Sequence, residues 1–409
     1  MRFRSQGVRF RSQGVRLRVL FLETVLNDRG GAGRWLLDVA SALHGEVDLH
    51  VAAAAVDPLL PPDAWRGAPP HEVKGLDRKG LGTRGRRATL TRLDALLDQV
   101  APDVVHVNYV LEPAALERVA ATGRGVLTVH DHRLFCPARG KVLPDGRPCH
   151  DPMGPACSAC FDDAASRDRM IDVTARRLDA VRAMARVVVV SGYMHAELAA
   201  AGVPPERLVL ARPFVAPAFV DEVDRERARR GTSRPPFHVF SGRLAWQKGL
   251  REALAASTRL GTSVPLLVAG DGPLAPEVAA AAAAHPGRVR GLGWLPRLGL
   301  ARLLAHARSL WFPSLWIEPF GLAGLEAAAA GVPVVATGGG GVDEWLEEGI
   351  NGLRVPRGDA DALAAAADAL ASDPGRAQAL GEAGRAVAAR FRPQAGLDAL
   401  RDTWRRVAG

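Results

Sequence analysis

The chain has 409 residues, more than one hydrophobic core usually serves, so two domains are expected, and an apolar content of 48% suffices for both. Lys plus Arg number 53 against 44 Asp plus Glu, a net charge of +9, yet the acids are spread along the chain, aromatics are only 5% and no nucleic-acid recognition motif occurs, so no nucleic-acid partner is expected. No apolar run reaches the roughly eighteen residues of a membrane span, and no apolar segment with a cleavage site opens the chain. A cytoplasmic location follows, with peripheral attachment at the inner membrane face as its alternative.

Residues 1–16 carry the heptapeptide RFRSQGV twice in tandem without apolar periodicity, which predicts a disordered basic tail. LRVLFLE at 17–23 then has the pattern of a buried strand, followed by a glycine-rich turn with Gly30, Gly31 and Gly33 and an amphipathic helix. Strand, glycine loop and helix open a doubly wound domain, predicted over 17–215. VDLHVAA at 47–53, PDVVHVNYV at 102–110 and GVLTVHDH at 125–132 continue its sheet. The last two put His106, His130 and Asp131 at carboxyl ends of strands, where open parallel sheets carry their sites. Ahead of them, 71–91 gathers Lys74, Arg78, Lys79, Arg84, Arg86 and Arg87 among glycines: a solvated loop, or one that attracts an anionic membrane or acceptor.

All four cysteines, Cys136, Cys149, Cys157 and Cys160, fall in an insertion over 131–165. Clustered cysteines in a cytosolic chain of this length are not a secreted disulfide framework. Structural zinc held by the four thiolates, with His150 as a substitute ligand, leads the readings that stay open; free thiols or a redox disulfide and an iron–sulfur cluster are the others. The segment is rich in Gly and Pro, so a metal would supply order that its own packing cannot.

Residues 216–236, mixed in charge with three prolines, are expected to link this half to a second domain over 237–390. FHVFSGRLAWQKGL at 237–250 repeats the opening of the first: apolar strand, Gly242, basic loop, helix. Arg243 and Lys248 lie five apart across that turn and can aim at one phosphate pair, the first as a fork and the second as a point charge. Within 311–344, Pro319 holds Glu318 in a loop, while Glu326 falls inside the following alanine-rich helix. Gly321, Leu322 and the other first residues of that helix present N–H groups without intrahelical partners and roughly half a positive charge, which suits a diphosphate. Two carboxylates beside such a site make good acceptors for sugar hydroxyls.

Glu318-x7-Glu326 with an internal Phe-Gly-Leu, together with Gly242-Arg-Leu-x-x-x-Lys248-Gly, resembles the signature of the retaining glycosyltransferases of family 4. The resemblance implies the GT-B fold, two Rossmann-like α/β domains facing a central cleft, with the final helix, 391–409, crossing back to the first domain. It implies metal-independent, retaining transfer of a hexose from a UDP-, GDP- or ADP-sugar to a glycan, lipid or small-molecule acceptor. His130, Arg243, Lys248 and Glu318 would be the catalytic set; Gly33, Gly242, Phe320, Gly321, Leu322 and Glu326 would bind the donor, Glu326 at its ribose. No cofactor is expected to be required for catalysis. A nucleotide-sugar epimerase or phosphorylase of the same fold, or a silent sugar-nucleotide-binding partner, are the rivals.

Overall fold

The apolar run at 17–23 is hydrophobic on both faces, as a strand in the middle of a covered sheet must be, and Val19, Leu20, Phe21 and Leu22 are fully buried. The structure, a computed structural model, describes residues 16–77, 82–230 and 235–409. The expectation of a disordered tail, and the basic positions 78 and 79, lie outside the described residues.

In the first half β1 (Arg18–Leu26), β2 (Asp48–Val56), β3 (His71–Glu72), β4 (Val104–Tyr109), β5 (Gly125–Val129), β6 (Arg186–Val189) and β7 (Leu208–Leu210) form a parallel sheet in the order β3-β2-β1-β4-β5-β6-β7. In the second, β8 (His238–Ser241), β9 (Leu266–Ala269), β10 (Val289–Gly293), β11 (Ser309–Phe312), β12 (Val334–Ala336) and β13 (Gly352–Arg354) are parallel in the order β10-β9-β8-β11-β12-β13. Each is a doubly wound sheet whose strand order reverses beside its first strand, between β1 and β4 and between β8 and β11. Such switch points open a crevice at the carboxyl ends of the strands.

Alternate residues of each sheet feed opposite layers. Val19 and Phe21 pack with Trp35, Leu397, Leu400 and Trp404, whereas Leu20 and Leu22 join a core that continues through Phe219 into Leu310 and Val334 of the second half. The helix Pro393–Ala408 therefore crosses back and covers one face of the first sheet. Trp404 Nε1 donates to His106 Nδ1 at 2.9 Å, which leaves the His106 Nε2–H to donate to Thr128 Oγ1 at 2.7 Å. His106 is thus a neutral core residue, and burial pushes its pKa down to about 3. His238 has the corresponding place in the second sheet, with Nδ1 2.8 Å from Ser309 Oγ and a pKa lowered to about 4, chiefly by burial.

Two segments differ from expectation. Residues 217–230 of the expected linker form the helix Pro217–Arg230, because Phe219 and Val223, four apart, bury one edge while Pro217 starts the first turn. The basic stretch is helical from Thr83 onward, Thr83–Val100, so Arg84, Arg86 and Arg87 lie on its first turns rather than in a loop.

Candidate active site

The loop after β8 and the loop after β11 meet at the second switch point. Lys248 Nζ lies 2.7 and 3.0 Å from the two carboxylate oxygens of Glu318, and 4.8 Å from the centroid of the Trp316 ring. This approach requires Gly249: its φ is +70°, and a Cβ there would stand 1.8 Å from the carbonyl oxygen of Pro313 at the end of β11. Glu318 itself is only 4% exposed. Its loop is held from behind by the glycine run, since Gly341 N donates to Glu318 O at 2.8 Å and a Cβ on Gly341 would meet Pro319 O at 2.2 Å. Arg357, which sequence reasoning missed, donates to the carbonyls of Ser314, Trp316 and Gly338 and ties the same loop to the glycine run.

Arg243 is exposed at the tip of the first loop, and no acidic partner for it occurs among the described residues. Across the cleft its charge acts on Arg133, whose pKa falls to about 10, mainly through burial and then through Arg243 and Arg177. Gly242 borders open space, as no atom lies within 4 Å of a Cβ built on it. Gly321, at φ +87°, precedes the helix Leu322–Ala329, where the N–H groups of Leu322 and Ala323 head the first turn. Two expected donor contacts are altered. The Phe320 ring is buried edge-on against Phe391, at 5.6 Å between centroids, and its carbonyl accepts from Trp345 Nε1 at 2.7 Å, so its side chain serves packing. Glu326, expected at the ribose, is 1% exposed and accepts from Arg34 Nη1 at 3.0 and 3.1 Å, with Arg297 Nη2 3.6 Å away. Arg297 also pairs with Asp38, so an alternating cluster of charges from both halves surrounds Glu326.

In the first half, the switch point is lined by a chain of polar side chains. Asn108 Nδ2 donates to Glu23 Oε2 at 2.5 Å and to Ala32 O at 3.2 Å, which orients its Oδ1 toward His130 Nε2 at 2.8 Å. The His130 proton therefore sits on Nε2, leaving Nδ1 as an acceptor. The ring packs edge-on against Trp35 at 5.2 Å, and burial lowers its pKa to about 3. Burial likewise raises Glu23 to about 7, partly offset by the hydrogen bond from Asn108. Gly33 lies inside the helix Gly31–Ala42 with its Cβ position 2.2 Å from Asn27 O, so its missing side chain admits the preceding loop. Asp131 is structural: it caps the next turn through Arg133 N at 2.9 Å, pairs with the Arg133 guanidinium at 2.6 Å and accepts from Tyr109.

The halves are also joined where sequence gave no hint. Ser191 Oγ donates to Pro319 O at 2.6 Å, and Glu344 accepts from Gly192 N and Arg212 Nε, both at 2.5 Å. Glu344 thus caps a helix of the opposite half, Gly192–Ala200, rather than its own.

Two family models match this arrangement in tandem: "Glycosyltransferase Family 4" over residues 29–219 and "Glycosyl transferases group 1" over residues 222–387. The chain belongs to the family 4-like glycosyltransferases of the GT-B fold. Glycogen synthase of Mycobacterium tuberculosis is 37% identical over 188 residues, 44% of this chain and 42% of that protein, so the match spans less than half of that relative's length. D-inositol 3-phosphate glycosyltransferase of Mycobacterium marinum is 28% identical over 409 residues, 93% of this chain and 82% of that protein. Among solved structures, Anabaena HepE in complex with UDP-glucose superposes with a TM-score of 0.71 at 18% identity, covering 94% of this chain and 98% of that one. Sucrose-phosphate synthase of Thermosynechococcus elongatus does so with a TM-score of 0.71 at 20% identity, covering 96% and 99%. No described helix is long and apolar enough to cross a membrane.

Proposed function

We propose that this glycosyltransferase moves a hexose, with retention of anomeric configuration, from a nucleoside diphosphate sugar to a hydroxyl acceptor. The observation that carries the proposal is the meeting of Lys248 and Glu318, on the loop that carries the exposed Arg243 and the loop that leads to the first N–H groups of the helix Leu322–Ala329. Arg243, Lys248 and those N–H groups neutralise the charge that grows on the departing diphosphate, while Glu318 accepts from hydroxyls of the transferred sugar. Electrostatic stabilisation of this kind is usually the largest catalytic term. His130, neutral and with Nδ1 as an acceptor, orients a hydroxyl of the sugar or acceptor. For Glu326 to hold the ribose, Arg34 must release or share its carboxylate.

A UDP-hexose is the first donor to test, since HepE is described in complex with UDP-glucose. Acceptor choice falls to the first half, where the exposed Arg84 and Arg87 offer a basic surface to an anionic acceptor or lipid. The two glutamates are not the acid and nucleophile of a retaining glycosidase, which flank one anomeric carbon about 5–5.5 Å apart.

Donor turnover measured against UDP-, GDP- and ADP-hexoses tests the proposal. Lys248→Ala is expected to lose about 10²–10³ in kcat, and Glu318→Gln a comparable factor, with donor binding by calorimetry retained in Glu318→Gln. Donor binding without turnover by the wild type under every acceptor would instead favour a silent partner.

A further inference from the structure

We propose that Cys136, Cys149, Cys157 and Cys160 form a four-thiolate site for one zinc ion, which fastens the loop they define against the cleft. The four sulfurs line a single cavity together with Phe135, Lys141 and Met153, although they are spread over 25 residues of a segment poor in apolar side chains.

The backbone brings them there by distinct means. Cys136 follows the turn His132–Leu134, with its N–H donating to His132 O at 2.7 Å. A bridge between Val142 and Pro148 folds the middle of the loop back, so that Cys149 N donates to Lys141 O at 2.9 Å while Lys141 N donates to Cys136 Sγ at 3.4 Å. Backbone donation to sulfur is the support a thiolate ligand needs. The turn Pro155–Cys160 is a 3₁₀-helix, in which positions three apart eclipse, so Cys157 and Cys160 share one edge. No disulfide joins any of the four, and the other three sulfurs lie close enough to act electrostatically on Cys160.

Deprotonated together, four such sulfurs would need a cation between them. Arg139, which acts on Cys160, supplies positive charge beside a zinc tetrathiolate of net charge −2, while the Lys141 ammonium is taken up by Glu197 at 3.4 Å and the Asp151 carbonyl at 3.0 Å. Among the described residues no three His, Cys, Asp or Glu side chains stand close enough together to hold an ion, so the proposed site forms only when side-chain rotation draws the sulfurs inward. Loop order then reaches the donor side. The Arg139 guanidinium lies 5.6 Å from the centroid of the Trp246 ring, between Arg243 and Lys248, and Gly140 packs beside Trp316.

The experiment is metal analysis of the full chain, purified without a histidine tag, paired with cobalt replacement and thiol titration. About one equivalent of zinc per chain, thiolate-to-cobalt charge-transfer bands, and loss of zinc to below about a tenth of an equivalent in Cys157→Ser but not in Ser158→Ala are expected. Should Cys157→Ser fail to fold, chelator-treated wild type takes its place: hydrogen exchange is expected to rise across 136–160 and to recover with zinc. Wild-type zinc below about a tenth of an equivalent, broad visible absorbance from iron and sulfide, or thiols that titrate only after reduction would each overturn the proposal. None of these readouts depends on glycosyl transfer, so the site stands or falls separately from the proposed activity.

Discussion

In the first half, the polar groups at the strand ends are already partnered with one another: Glu23 with Asn108, Asn108 with His130, Asp131 with Arg133 and Tyr109. In the second half, the equivalent loops hold Lys248 against Glu318 and leave Arg243 exposed, without an acid among the described residues. One strand order therefore supports two electrostatic designs, a network that fixes the direction of a neutral imidazole and a cationic lip that awaits a counter-charge. The strand order shared by the two sheets, seven strands in one and six in the other, positions a site; the loop residues decide whether it orients or attracts.

The glycines after the first strand of each half offer the sharpest way to break that contrast. Gly249→Ala forces a side chain into the left-handed region and onto Pro313 O, so a loss of several kcal/mol is expected, on the order of the 1–3 kcal/mol of backbone strain plus the displacement of Lys248. Gly30→Ala, with nothing within 4 Å of its Cβ, should leave the thermal midpoint unchanged. Equal destabilisation of both would show that the two loops are alike.

Next in size is the pH dependence of stability. His106 and His238, one per sheet, are held neutral by burial, with folded pKa values near 3 and 4 against 6.5 when unfolded. Below pH 6.5 the unfolded chain therefore binds more protons, and stability falls by about 1.4 kcal/mol per histidine per pH unit until the folded values are reached. Glu23, raised to about 7, works in the opposite direction: its folded form keeps a proton between pH 4.5 and 7, so its contribution declines as pH rises through that window. Denaturant midpoints for wild type and Glu23→Gln at pH 5, 6 and 7 check both signs. The variant should lose more stability than wild type on going from pH 7 to 5.

The smallest effect isolates the orienting network. Asn108→Ala frees His130 to rotate and is expected to lower kcat about tenfold, below the roughly 10²–10⁴ of a general acid or base because Asn108 only orients the ring, with donor KM unchanged. An increase in donor KM at unchanged kcat would move Asn108 from the acceptor side to donor binding.

What was legible in the chain follows the distance over which each feature is encoded. Strand runs and Pro319 holding Glu318 in a loop are local, and the structure reproduces them. The Arg34–Glu326 pair joins residues 292 apart, and no local pattern distinguishes Arg34 from the chain's many other arginines. Asn108 and Glu23 were hidden for the same reason, as each reads as an ordinary polar residue in an apolar strand until β1 and β4 lie side by side. The helix Pro217–Arg230 was obscured by charge, because Phe219 and Val223 are a narrow apolar edge among acids and arginines. Phe320 misled through its neighbours: Trp316 and Glu318 of the same loop meet Lys248, but the Phe320 ring turns inward onto Phe391.

The return of the helix Pro393–Ala408 to the first sheet has a consequence for biosynthesis. Trp404, Leu400 and Leu397 complete the layer that covers Val19 and Phe21, yet they leave the ribosome only after the whole donor half has been translated. The amino-terminal lobe must wait with one greasy flank uncovered, so its maturation is tied to a helix translated well after it, and a nascent chain stalled before Pro393 would be a natural client for chaperones.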